Sequence, residues 1–161
     1  MAKKSTAKTL PMRALDEKGI PYAAHQQARK QYTCEGVAED LGVPVAQVVK
    51  AMIVQRSDRS FVLVVLPGDR QLSLKKLSAA LDDKNAALAQ TRDVERVTGY
   101  PVGAVSVLGY RRADVPAYLD RRVLDLEQVI ISAGRPDVGL SLAPGDLQRA
   151  LQGAQVGDYC S

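Results

Sequence analysis

Aromatic residues are scarce in this 161-residue chain, which has no tryptophan, one phenylalanine and six tyrosines. Such poverty argues against a track of interleaved rings for single-stranded nucleic acid, and it leaves the core to Val, Leu, Ile and Ala. Histidine is nearly absent as well. His25 alone gives a histidine-based zinc site or a Ser-His triad almost nothing to draw on. At the end of an expected strand over Ile20 to His25, it reads as a surface or hydrogen-bonded imidazole. The two cysteines, Cys34 and Cys160, are far apart and match no metal-ligand spacing, so two free thiols in a reducing cytosol account for them. No metal or other cofactor is expected. No apolar run reaches membrane-spanning length, and no apolar signal core follows the basic start. A cytoplasmic protein without a membrane partner is the expectation.

What remains is ordinary for a globular domain: 46% apolar residues, 25% charged residues and a formal net charge of +4. The length fits one domain with its own core, and the mild positive charge is compatible with a polyanionic partner. Residues 1–8, with Lys3, Lys4 and Lys8, read as a basic, flexible lead-in, and 9–161 as the domain. Thr9 with Pro11 opens a helix that Gly19 ends. Thr33 caps a second helix over Cys34 to Leu41, stopped by Gly42. Val48 to Val54 and Phe61 to Leu66 read as strands joined by a polar turn, the second apolar on both faces. Ser73 caps a helix that places Leu74, Leu77 and Leu81 on one side, and Ala86 to Ala89 reads as a short strand. Thr91 caps a small helix with Val94 and Val97 inward. Strands over Val115 to Leu119, Val129 to Ser132 and Gly139 to Leu142 follow, and Pro144 opens the last helix. The fold class is α+β: a single domain with a mixed, largely antiparallel, barrel-like sheet of about six or seven strands surrounded by short helices.

Two features point to chemistry. Thr98 to Gly109 holds three glycines, one proline and no ionisable side chain except the Tyr100 phenol. Ala104-Val105 reads as a strand start, so the stretch is a loop on a firm support. Glycine lets backbone amides approach a bound group where a Cβ would clash, which suits a carbonyl oxygen, a carboxylate or a phosphate. A plain turn is the alternative. A phosphate loop is disfavoured because no Gly-Lys-Ser/Thr ending follows. The second feature is Lys50, the single charge in the run Val48 to Val54. It either guards an edge strand by reaching water, or has a partner or a cavity to enter.

The order of several segments resembles a known family. Leu41-Gly42 is followed by a proline turn and Gln47-Val48-Val49-Lys50-Ala51, then by Gln71-Leu72-Ser73-Leu74-Lys75-Lys76-Leu77. Thr98-Gly99-Tyr100 leads into Gly103 and Gly109, and Ile131-Ser132-Ala133-Gly134 precedes Leu142-Ala143-Pro144-Gly145-Asp146-Leu147. From about Thr9 to Leu151 the chain resembles the YbaK/ProX-type aminoacyl-tRNA deacylases, free-standing relatives of the editing domain of bacterial prolyl-tRNA synthetase. The resemblance implies trans-editing, the hydrolysis of the ester on a mischarged tRNA, most commonly cysteine or alanine on proline tRNA. It implies no metal and no protein nucleophile. The implied partners are aminoacyl-tRNA and a synthetase such as the prolyl enzyme.

In that resemblance Lys50 falls on the functional lysine and Gly103 on the first glycine of the substrate loop, the two residues expected to be catalytic. Substrate contact is expected from Ala51, Tyr100, Ala104, Val105, Ser106, Ser132 and Gly134. Three basic pairs, Lys75-Lys76, Arg111-Arg112 and Arg121-Arg122, are candidates for tRNA contact and equally read as solvated surface. The chain departs from the family pattern at three places. Val107 stands where the loop usually has proline, Ala51 where threonine commonly follows the lysine, and Gly139 where an acidic residue is often found, with Asp137 nearby but out of register. A non-catalytic module that binds aminoacyl-tRNA or a synthetase is the alternative.

Overall fold

The computed structural model describes residues 7–161, so most of the basic lead-in, including Lys3 and Lys4, lies outside the described residues. Eight strands divide into two sheets. The smaller sheet has the order β1-β7-β6, from β1 (Ala23–Gln26), β6 (Val129–Arg135) and β7 (Val138–Leu142), all antiparallel. The larger has the order β4-β2-β3-β5-β8, from β2 (Lys50–Gln55), β3 (Phe61–Leu66), β4 (Ala87–Leu88), β5 (Ala117–Asp120) and β8 (Gln155–Gly157). It is mixed: β2 pairs antiparallel with β3 and β4, while β3–β5 and β5–β8 are parallel. Five short helices cover the sheets: α1 (Leu10–Glu17), α2 (Cys34–Leu41), α3 (Leu74–Leu81), α4 (Thr91–Thr98) and α5 (Pro144–Ala150). The α+β class is as expected. The strands form two sheets because the expected run from Val48 is shared between them. Val48 bridges Ile130 in parallel and the Val49 N–H donates to the Ile130 carbonyl at 3.0 Å, before β2 proper begins at Lys50.

Alternation along β3 explains its apolar composition. Phe61, Leu63 and Val65 enter the main core between the sheets, whereas Val62, Val64 and Leu66 enter a second core with Leu77 and Leu81 of α3. Every β3 residue is buried, and each such aliphatic side chain contributes about 2 kcal/mol of apolar burial. Thr33 and Ser73 cap their helices as the sequence indicates, accepting from the Gly36 and Lys76 N–H groups. Three local expectations fail for identifiable reasons. Thr91 is the first helical residue rather than the cap, and Gln90 holds the cap position with no side-chain bond. Leu74 is exposed, because the first turn of α3 overhangs the core that Leu77 and Leu81 fill. Ala104-Val105 starts no strand: the chain is irregular from Pro101 to Pro116, with Gly103 at φ +92° and a turn bond from the Ala104 N–H to the Pro101 carbonyl. The strand β8 and the 3-10 turn Arg121–Asp125 join the expected elements, while the turn expected after Pro44 is a 3-10 turn over Val45–Gln47. Among the described residues no helix is long and apolar enough to cross a membrane.

Candidate active site

The corner at which the chain passes from one sheet to the other opens a cleft of about 340 Å³. Its walls come from β2, β6, the loop before α2 and the glycine loop. Lys50 enters it from the first position of β2, where the strand has only β3 as a neighbour (Lys50 opposite Leu66) because β4 pairs only with Val54 and Gln55. The position is thus an edge, as one reading of the sequence held, yet the side chain is half-buried and faces a cavity. Among the described residues no salt bridge or hydrogen bond holds its ammonium. The turn after β3 fixes the approach to this corner. Gly68 packs so closely that a Cβ there would lie 2.2 Å from the Val48 carbonyl oxygen and 2.4 Å from that of Val45.

The same cleft is lined by the glycine loop, tied to β6 by hydroxyls. Ser106 Oγ donates to the Ser132 carbonyl at 2.6 Å, and Ser132 Oγ donates to the Ala104 carbonyl at 3.4 Å while accepting from the Gly134 N–H at 3.0 Å. A bulge in β6 between Ser132 and Arg135, with Gly134 at φ +89°, gives this clamp its shape. Tyr100 closes the loop on itself: its hydroxyl lies 2.7 Å from the Leu108 carbonyl and 3.2 Å from that of Gly109. Side chains at Gly109 or Gly134 would meet its ring or hydroxyl at 2.7–2.8 Å, so both glycines make room for it. Burial pushes the Tyr100 phenol far above its ordinary value.

Of the residues singled out from the sequence, Lys50, Ala51, Gly103, Val105 and Ser132 line one cleft. Tyr100, Ala104, Ser106 and Gly134 lie behind its wall and hold the loop in place. The Ala104 N–H is engaged within the turn, while those of Gly103 and Val105 have no acceptor among the described residues. Val107, at the position of the family's proline, is a core residue. Gly139 lines the cleft, and a Cβ there would lie 3.0 Å from Ile130 Cγ2, so a longer side chain requires the wall to move. Asp137 is occupied by Arg135 in a bidentate pair with both distances 3.0 Å.

The basic pairs stand apart from the cleft, and each divides. Lys76 donates to Asp158 and to the Cys160 carbonyl, Arg112 forks onto Asp114, and Arg122 is held by Asp120 and Asp158. Lys75, Arg111 and Arg121 are exposed, with Arg121 4.0 Å from Asp158. Sequence reasoning missed Tyr32 and Cys34, which sit in the polar loop and helix start leading into α2 and line the cleft with Gln27 and Gln31. A caps-and-turns reading of Arg29 to Thr33 holds no signal for them. Burial raises the Cys34 thiol above its ordinary value, and the nearby Lys50 charge opposes that shift. No carboxylate or imidazole lines the cleft. Among the described residues, no group of three or more His, Cys, Asp or Glu side chains is placed to hold a metal ion.

Two sheets with a cleft at the corner between them, wrapped by short helices, make up a fold shared with solved editing-domain structures. The chain belongs to the aminoacyl-tRNA editing domain family, whose model matches residues 28–150. EbsC of Enterococcus faecalis, named as a candidate Cys-tRNA(Pro)/Cys-tRNA(Cys) deacylase, is 33% identical over 147 residues, covering 89% of each protein. The proline–tRNA ligase of Thiobacillus denitrificans is 29% identical over 150 residues, which are 88% of this chain and 26% of that enzyme. A crystal structure described as a candidate trans-editing enzyme for prolyl-tRNA synthetase superposes with a TM-score of 0.85 at 26% identity, covering 94% of this chain and 95% of that one.

Proposed function

We propose that this protein is a trans-editing deacylase that hydrolyses the ester between a small, wrong amino acid and the 3′ end of a tRNA, cysteine or alanine on proline tRNA first among them. The observation that carries the reading is the shared cleft of Lys50 and the Gly103 loop, without a carboxylate or imidazole. Hydrolysis of an ester builds negative charge on the carbonyl oxygen, and donors fixed in advance stabilise it by about 3 kcal/mol each. The Gly103 and Val105 N–H groups are the donors without another acceptor. The Lys50 ammonium adds a charge that no carboxylate neutralises. Water attacks the carbonyl and the ribose oxygen leaves, taking up the proton the water gives up. For a cysteine ester the substrate's own thiol attacks instead, expelling the same oxygen as an alcohol and leaving a thiolactone that water then opens. That route requires only enforced proximity. Burial raises the Cys34 thiol above its ordinary value, which disfavours the thiolate a nucleophile needs, although the Lys50 charge opposes that shift. The editing domain runs from 9 to 161 and works in the cytoplasm, where charged tRNA and the synthetases are found.

The deciding experiment incubates the protein with cysteinyl-, alanyl- and prolyl-tRNA(Pro). The expected result is loss of a mischarged ester with the prolyl ester spared. Retention of all three, with salt-sensitive binding, supports the non-catalytic module instead. Selection by cleft volume discriminates by only about 1–3 kcal/mol per methylene, so a tenfold or greater preference among small amino acids is expected rather than absolute choice. Of the six candidates for tRNA contact, Lys75, Arg111 and Arg121 are exposed and make no hydrogen bond to a carboxylate among the described residues, so they are the first to replace. Replacing all three with Ser is expected to flatten the salt dependence of tRNA binding, and an unchanged slope of log affinity against log salt removes them from the interface.

Gly103→Ala tests the loop directly. At φ +92° an alanine is strained by about 1–2 kcal/mol, and its Cβ would lie 2.8 Å from Tyr32 Cδ1. The melting temperature is expected to fall by a few degrees, and kcat/KM for the mischarged ester by about tenfold or more as the loop amides move. Full activity in this variant removes the loop from the chemistry.

A further inference from the structure

The mouth of the cleft carries an apolar collar that neither the core nor the proposed chemistry accounts for. Six large apolar residues are strongly exposed among the described residues, and three of them, Tyr32 at 57%, Leu88 at 51% and Val102 at 49%, line this one cleft. They come from three separate segments: the loop before α2, the short edge strand β4 and the glycine loop. Solitary exposed apolar residues need no explanation, but three converging on one opening do. Tyr32 is also the one ring exposed among the described aromatic residues, in a chain with seven aromatic side chains. One edge of the ring is fixed by the glycine loop, since a Cβ at Gly103 would lie 2.8 Å from Tyr32 Cδ1, 3.2 Å from its Cβ and 3.4 Å from its Cγ.

We propose that Tyr32, flanked by Leu88 and Val102, is the seat on which the terminal nucleobase of the aminoacyl-tRNA stacks. The inference rests on the deacylase reading, which fixes where that base must be. With the ester carbonyl between Lys50 and the Gly103 loop, the esterified ribose points outward, and the base it carries is the next rigid group at the opening. A flat, apolar-faced base in contact with a tyrosine ring and two aliphatic side chains gains roughly tenfold or more in affinity, independent of base identity. A single seat is enough, because only the last nucleotide is bound to the amino acid. Tyr32 is in this account a positioning residue that sets KM, while Lys50 and the loop set kcat.

The test uses the intact protein with Tyr32→Ala and Tyr32→Phe. On mischarged tRNA(Pro), Tyr32→Ala is expected to raise KM about tenfold with kcat within about twofold, and Tyr32→Phe to retain the original KM, since the ring and not the hydroxyl stacks. Independently, uncharged tRNA(Pro) with 2-aminopurine as its last base is expected to lose fluorescence on binding the original protein and Tyr32→Phe, but not Tyr32→Ala. Unchanged KM and unchanged quenching in Tyr32→Ala overturn the seat. A fall in kcat at constant KM also overturns it, by reducing Tyr32 to a prop for the loop. Loss of synthetase association with KM and quenching intact makes the collar a protein interface and overturns it too. If the original protein hydrolyses no ester, the deacylase reading falls, and the quenching arm alone then decides whether the base is held at Tyr32.

Discussion

Lys50→Ala is expected to lower deacylation of a mischarged tRNA by about 10²-fold or more while the melting temperature barely moves. The activity side follows from position. The ammonium is held at the corner between the sheets by the β2–β3 pairing, and it faces the cleft with no carboxylate among the lining residues. Its charge therefore acts on whatever enters, and removing a preorganised donor or charge costs about 3 kcal/mol of transition-state stabilisation. The stability side follows from what Lys50 does not do. It holds no ion pair among the described residues and sits half-buried at a strand end, so alanine leaves no orphaned partner. The two effects should separate in one set of measurements, with kcat/KM falling and calorimetry unchanged. Lys50→Arg is expected to recover only part of the activity, since a planar guanidinium cannot place its charge as a compact ammonium does. A folded alanine variant with full activity rejects the assignment.

The sequence revealed this site unevenly. Lys50 stood out because a lone charge in an apolar run is unusual, and the glycine loop because three glycines and a proline cannot form regular structure. Local capping signals at Thr33 and Ser73 were equally readable, since the atoms involved are three residues apart. The sharing of Val48 to Val54 between two sheets was not readable. A strand that changes partners at Val49 has the same composition as one that does not, and the change is made by Ile130, 81 positions later. Tyr32 was hidden for a similar reason: its contact with Gly103 is set by tertiary folding across 71 residues. The Arg121-Arg122 pair divides for a reason that composition does not carry. Adjacent charges look alike in sequence, yet Arg121 is exposed while Arg122 belongs to a buried carboxylate.

That carboxylate carries the largest expected effect on stability. Asp120→Ala should destabilise the protein by about 3 kcal/mol or more and lower its melting temperature by roughly 10 °C. Asp120 ends β5 with no exposed surface. One oxygen accepts from the Arg122 N–H at 2.9 Å, and the other from the Tyr159 N–H at 2.8 Å and the Cys160 thiol at 3.1 Å, while the Arg122 guanidinium lies 3.2 Å from both. Alanine would leave the buried Tyr159 N–H and the partly buried Arg122 N–H without this acceptor and release the C-terminal segment, whose Tyr159 packs on Tyr118 at 5.8 Å between ring centroids. Burial alone raises the Asp120 carboxyl, but the hydrogen bonds outweigh it and hold it below the usual carboxylate range. Asp158, bound by Lys76 and Arg122, is held well below the usual carboxylate range as well. Groups depressed in the folded state stabilise it fully above their unfolded values near 4, and that stabilisation is lost as pH falls through the lower folded values. The intact protein should thus lose stability progressively below about pH 4, and Asp120→Ala should show a shallower loss because part of it is already gone. Cys160, pushed up to about 12 mainly by burial and by its bond to Asp120, remains a thiol throughout and adds no slope of its own. Denaturant titrations at pH 7 and pH 3 on both proteins measure the difference, and parallel losses in the two would show that the acid sensitivity arises elsewhere.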